Sequence, residues 1–516
     1  MKSKKCDTKV NSKDFIGRKR SNSRNKSRNK TKSSGHPNVD HKDVNINALD
    51  NDPSWYNVYP ELVDSTARIS TGYPIGINYD ITGSSERNWN FVNSIHTMRL
   101  RYTHGIGLTE SDRDPVNLAA TKLYSFVRHA NSGHSNYERT DLMLYFLSVI
   151  EAYNLIAVAI RAYGAINMFN NMNRAMPKYV VEAMGWDYDD LVGEAAILRT
   201  RINNAIARVN SLYVPTELNV AKRWWWLNTT CFTDSAGPKA MNYIFTPTHY
   251  RVWEEMDSDN GGYLKAYELS DTLTVSAWSQ AINRVLDHLL DSEDLGIMSG
   301  DILKAYGDKV FTLSMIEENY TTPFVFSEEV LMQINNTHFT GRSLMSVDIT
   351  QETNANLNSG LRYMPRVAID ASNTTDILYV NSMRMTPIMS FPVENPDNSM
   401  VMVASRNMTY GDDYYDDEGY LSLSCGSEVM VDCYIYAGDY PIKMNPSFAE
   451  FHDTVADYLK LIRFDYCPMV IAVNRDAVNP DVYAACSHYE NVIPVDERTL
   501  ARMHDTALLS LFSALV

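Results

Sequence analysis

The first 32 residues of this chain cannot build a core. They hold thirteen basic side chains (Lys2, Lys4, Lys5, Lys9, Lys13, Arg18, Lys19, Arg20, Arg24, Lys26, Arg28, Lys30 and Lys32) against only Asp7 and Asp14, a balance of +11. A segment so charged and so poor in apolar residues buries too little surface to offset the entropy of ordering its backbone. It also repeats itself, Ser23-Arg24-Asn25-Lys26 being followed at once by Ser27-Arg28-Asn29-Lys30. The rest of the chain carries 34 basic and 61 acidic residues, a balance of −27. Folding is thereby confined to an anionic body, and the cationic arm is left to follow a polyanion on one side of the molecule. A mitochondrial leader would need an amphipathic face, for which only Phe15 and Ile16 are available. Arg18-Lys19-Arg20 would also serve as a nuclear signal, a reading compatible with nucleic-acid contact.

The body has the composition of a globular protein, 44% hydrophobic and 21% charged, and at 516 residues the chain has room for roughly two to four domains. Its six cysteines are scattered with no Cys-x-x-Cys pair, which argues against a zinc site or a disulfide scaffold and fits a reducing compartment. No apolar leader stands at the N-terminus, so the sequons at Asn228 and Asn373 read as chance matches. Leu142 to Ile160 is long and apolar enough to cross a bilayer, but Glu151 stands at its centre. A helix buried in a protein core, with no membrane span in the chain, is the expectation.

Two periodicities divide the body. From about residue 115 to 310 helical spacing dominates: Leu191, Ala195, Leu198, Ile202, Ala205, Val209 and Leu212 mark one helix face, and Trp278, Ile282, Val285, Leu286 and Leu289 another. Residues 446–462 and 496–512 read as two further helices. Between these regions, 377–380, 401–403 and 429–435 are short β-branched and aromatic runs that read as strands, broken by Asn358-Ser359-Gly360, Asn395-Pro396-Asp397 and Gly411-Asp412-Asp413. Residues 310–442 contain no lysine, five arginines and eighteen acids. The fold class expected is α+β: a mainly helical domain, an acidic β-rich domain inserted into it, and a disordered basic arm.

Three motifs could carry chemistry. Gly411-Asp412-Asp413 has the carboxylate pair of a viral RNA polymerase, but Ser359-Gly360 is not followed by the Thr and Asn spacing of the accompanying Ser-Gly element, and residues 410–418 read as a solvated acidic loop. Asp257 to Glu268 matches a calcium-binding helix–loop–helix at Asp257, Asp259 and Glu268, yet Gly261 removes a ligand, and an acidic turn between two helices is the plainer reading. Trp224-Trp225-Trp226 beside Arg223 could stack on bases, although three consecutive tryptophans more often anchor a core or an oligomer interface. No catalytic constellation, metal site or cofactor site is expected.

The passage after the arm, Asn51-Asp52-Pro53-Ser54-Trp55-Tyr56-Asn57 followed by Pro60-Glu61-Leu62 and Tyr73-Pro74-Ile75-Gly76, resembles the start of the ordered region of picobirnavirus capsid proteins. The resemblance implies the coat protein of a double-stranded RNA virus, assembled in the host cytoplasm and located in the virion. Dimers of the chain would build an icosahedral shell around viral RNA. It also implies an RNA-binding arm over 1–47, a helical shell domain over 48–320, a protruding domain over 321–440 and a helical return to the shell over 441–516. Some relatives remove the arm by self-cleavage at an Asn-Ala bond, and Asn47-Ala48 lies at the junction of arm and body. A partitivirus-like capsid and a non-structural RNA-binding protein remain open, as does an enzyme that a bound metal with turnover would reveal.

Overall fold

A computed structural model describes residues 53–69 and, between 77 and 514, all but 81–89, 94–96, 132–136, 169–175, 237–239, 256–260, 354–358, 371, 416–418, 437–440, 445–448, 451–463, 469, 475–480 and 486–490. These residues fall in two compact units, one ending at Ile69 and one beginning at Ser70. In the first, a 3-10 turn Pro53–Tyr56 precedes helix α1 (Pro60–Thr66), which starts on a proline whose missing N–H costs nothing there.

The second unit opens with strands β1 (Ile77–Asp80), β2 (Asn90–Asn93) and β3 (Thr97–His104). Helices α2 (Pro115–Ala130), α3 (Arg139–Ile166), α4 (Met176–Ala183), α5 (Tyr188–Gly193), α6 (Ala195–Val209) and α7 (Asn219–Thr229) follow. Then come β4 (Cys231–Thr233), β5 (Asn242–Pro247), β6 (His249–Glu255) and β7 (Gly262–Glu268), and helices α8 (Val275–Asp291) and α9 (Glu293–Tyr306). The next stretch alternates: β8 (Phe324–Val325), α10 (Glu328–Asn335), β9 (Thr350–Glu352), β10 (Gly360–Arg362), β11 (Arg366–Ala368), α11 (Thr374–Met383), β12 (Ile388–Phe391) and α12 (Asn398–Ala404). Strands β13 (Tyr410–Tyr415), β14 (Tyr420–Ser424), β15 (Glu428–Tyr436), β16 (Pro441–Met444), β17 (Ala449–Glu450), β18 (Val470–Asn474), β19 (Asp481–Ala485) and β20 (Asn491–Pro494) lead to a last helix, α13 (Glu497–Phe512). The architecture is α+β, with helices predominating.

Helix α3 is the axis of the core. Its apolar residues run all the way round, and α2, α6, α7 and α8 pack against it, so its entire span from Leu142 to Ala165 is buried. It is long and apolar enough to cross a membrane and is instead enclosed by protein. Beside it lies a six-stranded sheet in the order β16-β15-β3-β5-β4-β8. Met98, Leu100 and Tyr102 alternate on one face of β3 and pack with Phe245, Ile435 and Leu331 of α10. The opposite face joins the α3 core through Ile244, Val429 and Val431.

Several sequence expectations need correction. Residues 377–380 and 401–403 lie in helices α11 and α12, because Asn373 and Asp397 accept the backbone N–H groups of Thr375 (2.9 Å) and Met400 (2.7 Å) and so start helices there. The face running from Leu191 to Leu212 is split into α5 and α6 at Glu194, although Leu191, Leu198, Ile202 and Val209 all point inward. The supposedly helical region also contains β4 to β7. The helix expected over 496–512 is α13, with Asp496 as its N-cap, whereas most of 446–462 lies outside the described residues and Ala449–Glu450 is a strand.

A buried polar network and the candidate assembly surface

The thirteen arm cations and the Asn47-Ala48 bond lie outside the described residues, as do Asp257 and Asp259. Glu268 ends β7, paired with His249 across an antiparallel β6–β7 pair, so the calcium-like motif lies between two strands and along the second, and is neither a helix–loop–helix nor a turn between helices. Gly261, directly before β7, has φ of +78°, and a Cβ there would come within 2.5 Å of Asp141 Oδ1; backbone and crowding together require glycine. Gly411-Asp412-Asp413 is part of strand β13, with Gly411 opposite Leu423, where a loop was expected. Among the described residues no three His, Cys, Asp or Glu side chains converge as metal ligands. Cys231, Cys425 and Cys433 are buried free thiols, and Cys467 is buried. The sequon residue Asn228 is fully buried.

The polar chemistry of the body is internal. Glu151, at the middle of α3, meets Arg251 from β6, whose Nη1 donates to Oε1 at 2.9 Å. The same guanidinium donates through Nε to the carbonyl of Val347 at 2.9 Å and through Nη2 to that of His104. One side chain thus ties β3, α3 and the segment before β9 together. His104 Nδ1 lies 3.6 Å from Glu151 Oε2, beyond hydrogen-bond reach, while its Nε2 contacts Tyr102 Oη at 3.0 Å. Tyr102 Oη in turn donates to Asn228 Oδ1 at 3.0 Å. Burial holds His104 well below the usual histidine range, and the positive Arg251 pushes the same way, so the imidazole is neutral. Burial raises Glu151 and Arg251 opposes it.

A second charge pair extends the network. Arg223 Nε and Trp224 Nε1, both from α7, donate to Glu428 Oε1 at 2.7 and 3.1 Å, and the Trp224 ring lies 4.5 Å from His104. Of the three tryptophans, Trp224 is therefore a core anchor and Trp225 is half-buried. Trp226 reaches the surface, edge-on to Phe232. Arg161 directs its hydrogen bonds to carbonyls, Phe245 O at 2.8 Å and Leu227 O at 3.1 Å, and burial lowers its pKa. These groups are closed off from substrate and present no nucleophile with a base beside it. The two pairs join helix α3 to β6 and helix α7 to β15: ion pairs this dry gain little net stability, but losing one partner is costly.

Sequence reading singled out Glu151 as a charge in an apolar helix and missed its partner, because Arg251 lies a hundred positions away. The signal available for Arg161 was the same, a lone cation among apolar residues. At the surface, Trp226, Ile297, Leu303 and Phe326 leave large apolar side chains in solvent.

The family model described as "Picobirnavirus, Capsid protein" matches residues 55–410. The chain belongs to the picobirnavirus capsid protein family. A curated relative, the "Capsid protein precursor" of Human picobirnavirus (strain Human/Thailand/Hy005102/-), is 24% identical, with 90% of each chain covered. The structure titled "X-ray crystallographic structure of the picobirnavirus capsid" superposes with a TM-score of 0.74 at 20% identity, covering 89% of this chain and 98% of that one. Membership gives the chain a structural, non-enzymatic role in the virion of a double-stranded RNA virus, in association with copies of itself.

Proposed function

We propose that dimers of this chain assemble, in the host cytoplasm, into an icosahedral shell that packages viral RNA through the arm. Residues 1–47 are the RNA-binding arm, 48–320 the shell domain, 321–440 the protruding portion and 441–516 the return to the shell. The observation that carries this reading is charge segregation: +11 over the first 32 residues against −27 over the rest. Thirteen cations on a segment without a core can neutralise phosphates along a polyanion, while the body repels it. The chain leaves the six-stranded sheet at β8 and re-enters it at β15, so an excursion from the sheet lies within 321–440, while the two ends of that range still belong to the sheet.

Asn47-Ala48 is the processing site in this reading. The Asn47 side-chain amide attacks its own peptide carbonyl, closing a succinimide and releasing an N-terminus at Ala48. The human relative's printed name, a precursor, is in keeping with such a step. Full-length protein and a variant lacking residues 1–47 test the assignment together by gradient sedimentation, negative-stain microscopy and the 260/280 nm absorbance ratio. Both are expected to form closed particles, with RNA only in the first. RNA at full-length levels in the truncated particles would remove the arm from its role. Mass spectrometry of the particles should find Ala48 as an N-terminus, abolished by Asn47→Ala.

A further inference from the structure

We infer that helix α9 is a self-contact: two copies of it cross antiparallel about a two-fold axis, joining two copies of this chain. The inference rests on the proposed self-assembly and names a surface for it. One face of α9 is fixed to its own chain. Leu295, Met298, Ile302 and Tyr306 are buried, Ser299 Oγ accepts from the Tyr213 N–H at 3.1 Å, and Asp301 Oδ2 accepts from Tyr137 Oη at 2.8 Å. The opposite face is therefore held outward. It reads Glu293, Gly296, Ile297, Gly300, Leu303 and Lys304, steps of three and four that form a single stripe.

Two properties of that stripe have no explanation among the described residues. Ile297 is 49% exposed and Leu303 38%, on the same face. Between them Gly296 and Gly300 occupy the helix interior, where glycine is the poorest helix former after proline. Neither has the positive φ that would require glycine, and a Cβ on either would touch nothing within 4 Å. Alanine would suit the isolated chain better. Glycine with open space above it instead suits the close approach of another helix.

The stripe is complementary to itself. An antiparallel crossing centred between residues 298 and 299 places Ile297 of each copy over Gly300 of the other, an apolar knob on a bare backbone. The same crossing brings Glu293, with Asp294 beside it, against Lys304 of the second copy, about 16 Å along the axis from its own. Each helix then meets opposite charge at both ends, and the helix dipoles also oppose. A two-fold contact must pair each residue with a partner and that partner with the residue in return, and this sequence does so.

The test uses full-length protein in sedimentation velocity over a concentration series, with microscopy of the assembled fraction. Glu293→Lys and Lys304→Glu, each of which sets like charges together twice across the axis, should weaken association about tenfold or more. The double variant Glu293→Lys/Lys304→Glu should recover to near the parent, since the pairs reform with reversed sign. Gly300→Leu should block the contact while leaving thermal unfolding of the chain unchanged or raised. Single reversals that associate like the parent, or a double variant no better than the singles, would overturn the α9 contact while leaving self-assembly standing. A parent chain that stays monomeric at every concentration would overturn the assembly reading and the contact together.

Discussion

Removing either member of the Glu151–Arg251 pair strands the other charge in a dry core. Arg251→Met is expected to cost about 3–5 kcal/mol in urea unfolding followed by tryptophan fluorescence. Glu151→Gln should cost less, because its amide oxygen still accepts from Arg251. A midpoint for Arg251→Met close to the parent's would show that the pair does not hold the elements together. Histidine adds a pH dependence. Burial lowers His338 to about 4, from an ordinary value near 6.5. Below pH 6.5 the unfolded chain takes up a proton there that the folded chain refuses, so stability falls as pH drops from about 6.5 to about 4 and by roughly 3 kcal/mol from this group alone. Glu151, shifted upward, works in the opposite direction, so the His338→Gln comparison isolates the effect. Between pH 7 and 4.5 the variant's unfolding midpoint should decline less steeply than the parent's, and parallel slopes would count against a buried neutral His338.

At the scale of elements, helix starts decide more than apolar runs do. Asp397 accepts from the Met400 N–H at the head of α12, and Asp397→Ala should cost about 1 kcal/mol, read from the unfolding midpoint. A change indistinguishable from zero would mean the helix is held by packing alone. The same residue explains a misreading. Asn395-Pro396-Asp397 looks like a strand breaker, and the three apolar residues that follow are too few to separate a strand from one turn of helix. Where the periodic face was longer the element was legible: Trp278, Ile282, Val285, Leu286 and Leu289 are the buried face of α8. Val429 to Ile435 was legible as a strand for a different reason, a run rich in β-branched and aromatic residues and largely buried on both sides. The antiparallel pair of β6 and β7 was hidden because the sequence between its strands and along β7 imitates a calcium loop, and its strands carry Glu254, Glu255 and Lys265 where a core strand would carry apolar residues.

Across the whole molecule, the division between cationic arm and anionic body was readable because charge is counted without knowing the fold. The Glu151–Arg251 and Arg223–Glu428 pairs were not, since each joins elements far apart in sequence. The arm makes a quantitative expectation at this scale. If about half of its thirteen cations engage phosphates at once, log affinity for RNA should fall with log salt at a slope of about four to six. It should be indifferent to base sequence, which filter binding over a salt series with unrelated RNAs would check. A slope near one, or strong sequence preference, would require a different contact. The six-stranded sheet also sets a timetable for synthesis. Strand β3 pairs on one edge with β5 and on the other with β15, and His104 has its partner at Glu428, 324 residues later. At roughly 5–20 residues per second the ribosome needs on the order of 16–65 s to supply it. Throughout that interval the arm is already outside the ribosome, while β3 offers an open edge to any other nascent copy on the same messenger.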